Sequence, residues 1–176
     1  IFFEFFEYFT SFSGLPFLYY FLPAVLVCYF AAPRKLKNAV LFVFSLIFYG
    51  WGEPRYIVLM IVSIVSGFVF ALMIEKKQNK KSGLILMWIS VAVSLSFLLI
   101  FKYADFLIEN VNQLPGVSLP LSKLSLPIGI SFYTFQIISY TVDVRRGDTK
   151  AQRNIISFGT YVSLFPQLIA GPIVRY

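Results

Sequence analysis

The chain has 176 residues, of which 59% are hydrophobic and only 13% charged, and its mean hydropathy is +0.79. A soluble domain carries about a quarter charged residues because its surface must stay wet, so this composition predicts an integral membrane protein. The formal charge of +7 comes from basic residues in short clusters between long uncharged runs, a pattern that excludes nucleic acid as a partner.

A single cysteine excludes a disulfide framework and a multi-cysteine metal site. The absence of histidine removes the commonest general base and the commonest transition-metal ligand. At the start, Ile1-Phe2-Phe3-Glu4 has no basic region and no small-residue cleavage site follows, so a signal peptide is not expected. Phe2, Phe3, Phe5, Phe6 and Phe9 with Glu4 and Glu7 read either as a short interfacial helix or as a disordered start.

Six uncharged runs follow, of 26, 15, 19, 20, 19 and 21 residues. A bilayer-crossing helix needs roughly 20 apolar residues, and backbone in lipid must satisfy itself as helix or closed barrel. Barrel strands would alternate in polarity, whereas Val40–Phe44 and Leu84–Ile89 do not. The prediction is an all-α polytopic membrane protein of about six transmembrane or re-entrant helices, near 15–32, 38–52, 56–74, 82–101, 124–142 and 154–174. The second run is short and needs tilt, local thinning or Trp51 as an interfacial anchor. Phe106 to Gln113 either prolongs the fourth span or lies at the interface. Ser63, Ser66, Gly67, Ser90 and Ser94 allow close helix packing.

Orientation follows from the basic residues. Loops 33–37, 75–81 and 143–153 hold eleven Lys and Arg, against four in the other connections. They are therefore expected on the cytoplasmic side, with the N-terminus outside.

The most informative segment is LPIGISFYTFQIISYTVD, Leu126 to Asp143. Pro127 and Gly129 loosen its first turn. Tyr133, Gln136, Tyr140 and Asp143 recur at steps of three, four and three, which puts them on one helix face with Ile130, Ile137 and Ile138 largely elsewhere. A polar stripe does not face lipid. It is read either as interhelical hydrogen bonding or as the wall of a wet cavity or substrate passage. In YVSLFPQLIAGPIVRY, Tyr161 to Tyr176, the breakers Pro166, Gly171 and Pro172 surround the polar Gln167. This is either a discontinuous helix lining a site or a simple proline kink. Between the two segments, Arg145, Arg146, Lys150 and Arg153 either receive a phosphate-bearing donor or only set orientation and touch anionic lipid. Ser131, Ser157 and Cys28 have no activating base nearby in sequence, and no metal-ligand cluster stands out.

LPIGISFYTFQIISYTVDVRRGDT (Leu126 to Thr149) followed by FPQLIAGPIVRY (Phe165 to Tyr176) resembles the membrane-bound O-acyltransferase family, in its bacterial alginate O-acetyltransferase branch. FYGWGEPRY (Phe48 to Tyr56) and FKYADF (Phe101 to Phe106) resemble weaker features of the same branch. The resemblance implies transfer of an acyl group, acetyl in this branch, from a cytoplasmic donor such as acetyl-CoA to a hydroxyl of an exported polysaccharide. It further implies an inner-membrane location and an extracytoplasmic polysaccharide-modifying protein as partner. The family's characteristic histidine lies in the second half of its members. The chain is therefore expected to be the N-terminal half, partnered by the rest of the protein and by lipid, and no catalytic residue carries over to it. A non-catalytic transporter half or assembly subunit is the alternative reading.

Overall fold

Apolar chain that cannot hydrogen-bond to water closes its backbone bonds within helices, and all regular structure among the described residues is helical. The computed structural model describes residues 17–112, 127, 129–170 and 176. A π-helical turn, Phe17–Phe21, leads into α1, Leu22–Ala31, which stops where Ala32 turns extended before Pro33. Helix α2, Lys37–Gly52, likewise ends before Pro54, and α3 runs Ile57–Lys76. Helix α4, Lys81–Val111, carries the fourth span through Phe106 as one continuous helix. Helix α5 is Ile130–Arg146, α6 is Ile155–Ser163 and α7 is Phe165–Ala170.

By length and composition, α3 and the Lys81–Tyr103 part of α4 can cross a membrane; 33% of the first window and 17% of the second are buried inside the protein. Their outward faces are apolar, including Val58, Val62 and Val69 on α3 and Ile85, Trp88 and Ile89 on α4. Helix α5 differs: nine of its seventeen residues are buried, although it is rich in hydroxyl and amide side chains. It packs against α3, α4 and α6. Its approach to α3 depends on Gly67, where an added Cβ would lie 2.7 Å from the Ile137 side chain. A second apolar cluster joins the N-terminal turn to α2 and α7, through the rings of Phe17, Phe21, Phe48 and Phe165. Their centroids are 5.4 to 5.8 Å apart, a spacing favourable for aromatic pairs.

Three helix boundaries differ from the hydropathy expectation: the fifth span, expected from 124, is helical from Ile130, with Pro127 and Gly129 outside the helix. Helix α5 continues beyond Asp143, so Arg145 and Arg146 occupy its last turn and not a loop. Its stop is Gly147, at φ 87°, whose N–H and that of Asp148 both reach the Asp143 carbonyl at 3.0 Å. The last expected span is two helices, broken at Leu164 (φ −56°, ψ 112°). Pro166 sits in the first turn of α7, where its missing N–H is no loss.

Candidate functional site

Helix α5 organises the site. Gly129, in the left-handed region at φ 75°, precedes its first residue, and its carbonyl accepts the Tyr133 N–H at 3.1 Å. Pro127 is buried beside this turn, and Leu168 of α7 packs against Gly129. From this start, Tyr133, Gln136, Tyr140 and Asp143 are all buried, at 0, 2, 0 and 5% exposure. The face is not purely polar. Ile130, Ile137 and Val144 are buried along with the polar four, while Phe132 and Phe135 point outward. The expectation that Ile130 and Ile137 lie elsewhere is corrected: α5 is covered on most of its circumference, because α3, α4 and α6 all pack on it.

At the Tyr140 end the polar groups form one network. The Tyr140 hydroxyl accepts the Gln152 backbone N–H at 2.7 Å. The Gln152 side-chain oxygen accepts the N–H groups of Arg153 and Asn154 at 2.8 and 3.1 Å, and its amide nitrogen donates to the Tyr176 hydroxyl. Asn154 caps α6, its Oδ1 accepting from Ile156 and Ser157 N–H at 2.9 and 3.4 Å. From the end of α3, Glu75 accepts the Ala151 N–H at 3.0 Å and forms an ion pair with Arg153. The Tyr140 ring lies 4.8 Å from Phe158 and 5.0 Å from Tyr176, and Tyr161 stands edge-on to Tyr176 at 4.9 Å. Asp143 acts electrostatically on Tyr161, and it too is engaged.

At the Tyr133 end the situation reverses. Tyr49 of α2 and Tyr133 act on one another electrostatically, and Glu53 acts on Tyr49. The Tyr49 and Tyr133 hydroxyls interact with each other but make no well-formed hydrogen bond beyond that, and the Ser45 hydroxyl is buried without a partner.

The structure thus brings Tyr140, Asp143 and Arg153 together and leaves Tyr133 at the other end of the same helix. Arg145 is partly buried; its Nε is fully so and lacks a partner, packed toward Gly83 at the start of α4. Arg146 and Lys150 are exposed, and Gln167 is partly buried and engaged. Gly171 and Pro172 lie outside the described residues. Sequence reasoning missed Glu75, Gln152, Asn154, Tyr161, Tyr176, Ser45 and Tyr49. Asn154 before the apolar Ile155-Ile156 pair carries a readable cap signal. Glu75, beside Lys76 and Lys77, reads as ordinary interfacial charge, and its partners lie 76 and 78 residues away. No group of His, Cys, Asp and Glu suited to a metal ion occurs among the described residues.

Comparison with known proteins follows the same lines. "Probable alginate O-acetylase AlgI" of Pseudomonas syringae pv. tomato is 38% identical over 170 residues, covering 94% of this chain and 33% of that protein. The protein of the same name from Pseudomonas aeruginosa is 38% identical over 176 residues, with the same coverage. "Peptidoglycan O-acetyltransferase" of Helicobacter pylori is 29% identical over 189 residues, covering 91% of this chain and 36% of that protein. The chain therefore spans about a third of the length of the curated relatives it matches. No family profile matches it, and neither does any solved structure.

Proposed function

We propose that the chain belongs to the membrane-bound O-acyltransferase family and is part of an inner-membrane, multi-pass enzyme that acetylates an exported polysaccharide. The observation that carries this reading is the 38% identity to two proteins named as alginate O-acetylases, sustained over 94% of the chain. The donor is a cytoplasmic acyl thioester such as acetyl-CoA, the acceptor a polysaccharide hydroxyl, and an extracytoplasmic polysaccharide-modifying protein is the partner. In the transfer, the acceptor oxygen attacks the thioester carbonyl, the C–O bond forms as the C–S bond breaks, and the hydroxyl proton passes to a base and then to the leaving thiol.

This chain's own residues supply the enclosure. Helix α5, flanked by α3, α4 and α6, excludes water from one side of a passage, which protects a thioester from hydrolysis. Tyr133, Gln136, Tyr140 and Asp143 form the polar wall that orients the reactants, and α7 with Gln167 closes one edge. Arg145, Arg146, Lys150 and Arg153 receive the donor's phosphates, for which arginine is well suited geometrically. The base lies in the remainder of the full-length protein, since this chain holds no histidine.

The test is acetyl transfer from labelled acetyl-CoA by the full-length protein in membrane vesicles, wild type against Gln136→Ala and Asp143→Ala. Transfer by the wild type, lost in the variants at equal expression, is the expected result. Unchanged transfer in both variants overturns the wall assignment. A wild type that leaves the thioester untouched overturns the enzyme reading in favour of a transporter or assembly subunit.

A further inference from the structure

Residues 151–154 have no regular secondary structure, yet every backbone N–H in the run is held by a side chain. Glu75, near the end of α3, accepts the Ala151 N–H, and the Tyr140 hydroxyl of α5 accepts that of Gln152. The Gln152 amide oxygen takes the N–H groups of Arg153 and Asn154. A connection at the surface can leave such groups to water. Here side chains from two helices and from the segment itself fix four in a row, against the entropy of ordering them.

The side chain carried by this fixed stretch is Arg153. Its guanidinium Nη2 pairs with Glu75, the two side chains being 68 and 19% exposed. No other hydrogen bond of that guanidinium occurs among the described residues. A guanidinium has five N–H donors in a planar fork, so its Nε and Nη1 donors are left for a ligand arriving from solvent. Arg146 and Lys150 are also exposed, but neither has a comparable tether among the described residues. An ion pair this exposed adds little to stability, about 0–1 kcal/mol. Its effect is on geometry: it removes rotamer freedom from a long cation, which an incoming anion would otherwise have to restrain.

We propose that Glu75 is a positioning residue for the donor, fixing Arg153 so that its remaining N–H groups meet a donor phosphate. The inference rests on the acyl-transfer reading above and on the donor role given there to Arg153. A carboxylate on one edge of the guanidinium and a phosphate on the other suits its planar fork. Charge alone argues the other way, because Glu75 weakens the positive potential at Arg153 and its removal would then tighten donor binding. Positioning and charge therefore predict opposite signs.

The test measures donor kinetics of the purified full-length protein, wild type against Glu75→Gln, Arg153→Ala and the double variant. Glutamine keeps an oxygen for the Ala151 N–H and loses the charge that holds Arg153. The expected result is a KM for acetyl-CoA raised about three- to tenfold by Glu75→Gln. Arg153→Ala raises it at least as much, and the double variant no further. With acetylpantetheine, a thioester without phosphates, all four proteins share one KM. A KM for acetyl-CoA that Glu75→Gln leaves unchanged or lowers overturns the proposal. So does a rise that persists in the Arg153→Ala background or appears equally with acetylpantetheine, and so does a Glu75→Gln protein that fails to accumulate, since each marks Glu75 as structural. Arg153→Ala with the wild-type KM removes the donor role of Arg153 and the proposal with it, while acyl transfer still stands. A wild type that transfers nothing from either thioester defeats the acyl-transfer reading itself, and the proposal falls with it.

Discussion

Two tyrosines on one face of α5, both 0% exposed, are treated in opposite ways. Tyr140 accepts a backbone N–H from Gln152 at 2.7 Å and lies in a network that ties α3 to the start of α6. Tyr133, two turns earlier, has a hydroxyl that meets only the Tyr49 hydroxyl, with no well-formed hydrogen bond. A satisfied buried network rigidifies its surroundings, and an unsatisfied one is strained by its own chemistry. The Tyr140 end is therefore the fixed end of α5, tied to α3 and α6 by its hydrogen bonds, and the Tyr133 end is the less tightly bonded one.

The contrast is broken most severely by Gly67→Leu. The new side chain must displace Ile137, since even a Cβ would come within 2.7 Å of it, and overpacking of this kind costs about 1–3 kcal/mol or more. Both ends of α5 should be lost together, visible as a large drop in the melting temperature of detergent-solubilised protein. Tyr140→Phe sharpens the comparison. It leaves the Gln152 N–H without its acceptor, a loss of about 1–3 kcal/mol, so the melting temperature should fall where Tyr133→Phe leaves it level or higher. Equal responses from the two variants would erase the distinction between the two ends of α5.

The smallest effect concerns Glu53, in the turn between α2 and α3, where burial raises the carboxyl pKa above its ordinary value. The folded state then holds this proton more tightly than the unfolded one. There is no penalty below the unfolded pKa; a penalty grows as pH rises through the shifted value and persists at neutrality. Glu53→Gln should therefore raise the melting temperature slightly at about pH 7 and leave it unchanged at about pH 4. A rise at acid pH alone would contradict the sign.

Hydropathy made the helices legible, because a long uncharged run has few alternatives to a helix in lipid. The uncharged run at 38–52 falls in the helix Lys37–Gly52, and that at 56–74 in Ile57–Lys76. The 3.6-residue period likewise disclosed the shared face of Tyr133, Gln136, Tyr140 and Asp143, all of them buried. It could not disclose how Tyr133 and Tyr140 differ, since that depends on Tyr49 and Gln152 arriving from elsewhere in the chain. Glu75 escaped for the same reason: the segment it fixes, Ala151 to Arg153, follows two further helices. Helix α5 outran its expected end because charge marks the edge of an apolar run, whereas Gly147 marks the end of the helix.

The contact at Gly67 also bears on translational register. Lipid gives helices no hydrophobic reason to prefer one lengthwise alignment over another, so alignment must come from shape. Sliding α5 along α3 by one turn, about 5.4 Å, would bring Tyr133 or Thr141 into the notch that now receives Ile137. The tyrosine ring is too large for that notch, and the threonine leaves it underfilled. A position with no side chain, on a helix that carries none of the candidate site residues except Glu75, thereby indexes the rung of α5 at which every hydroxyl is presented.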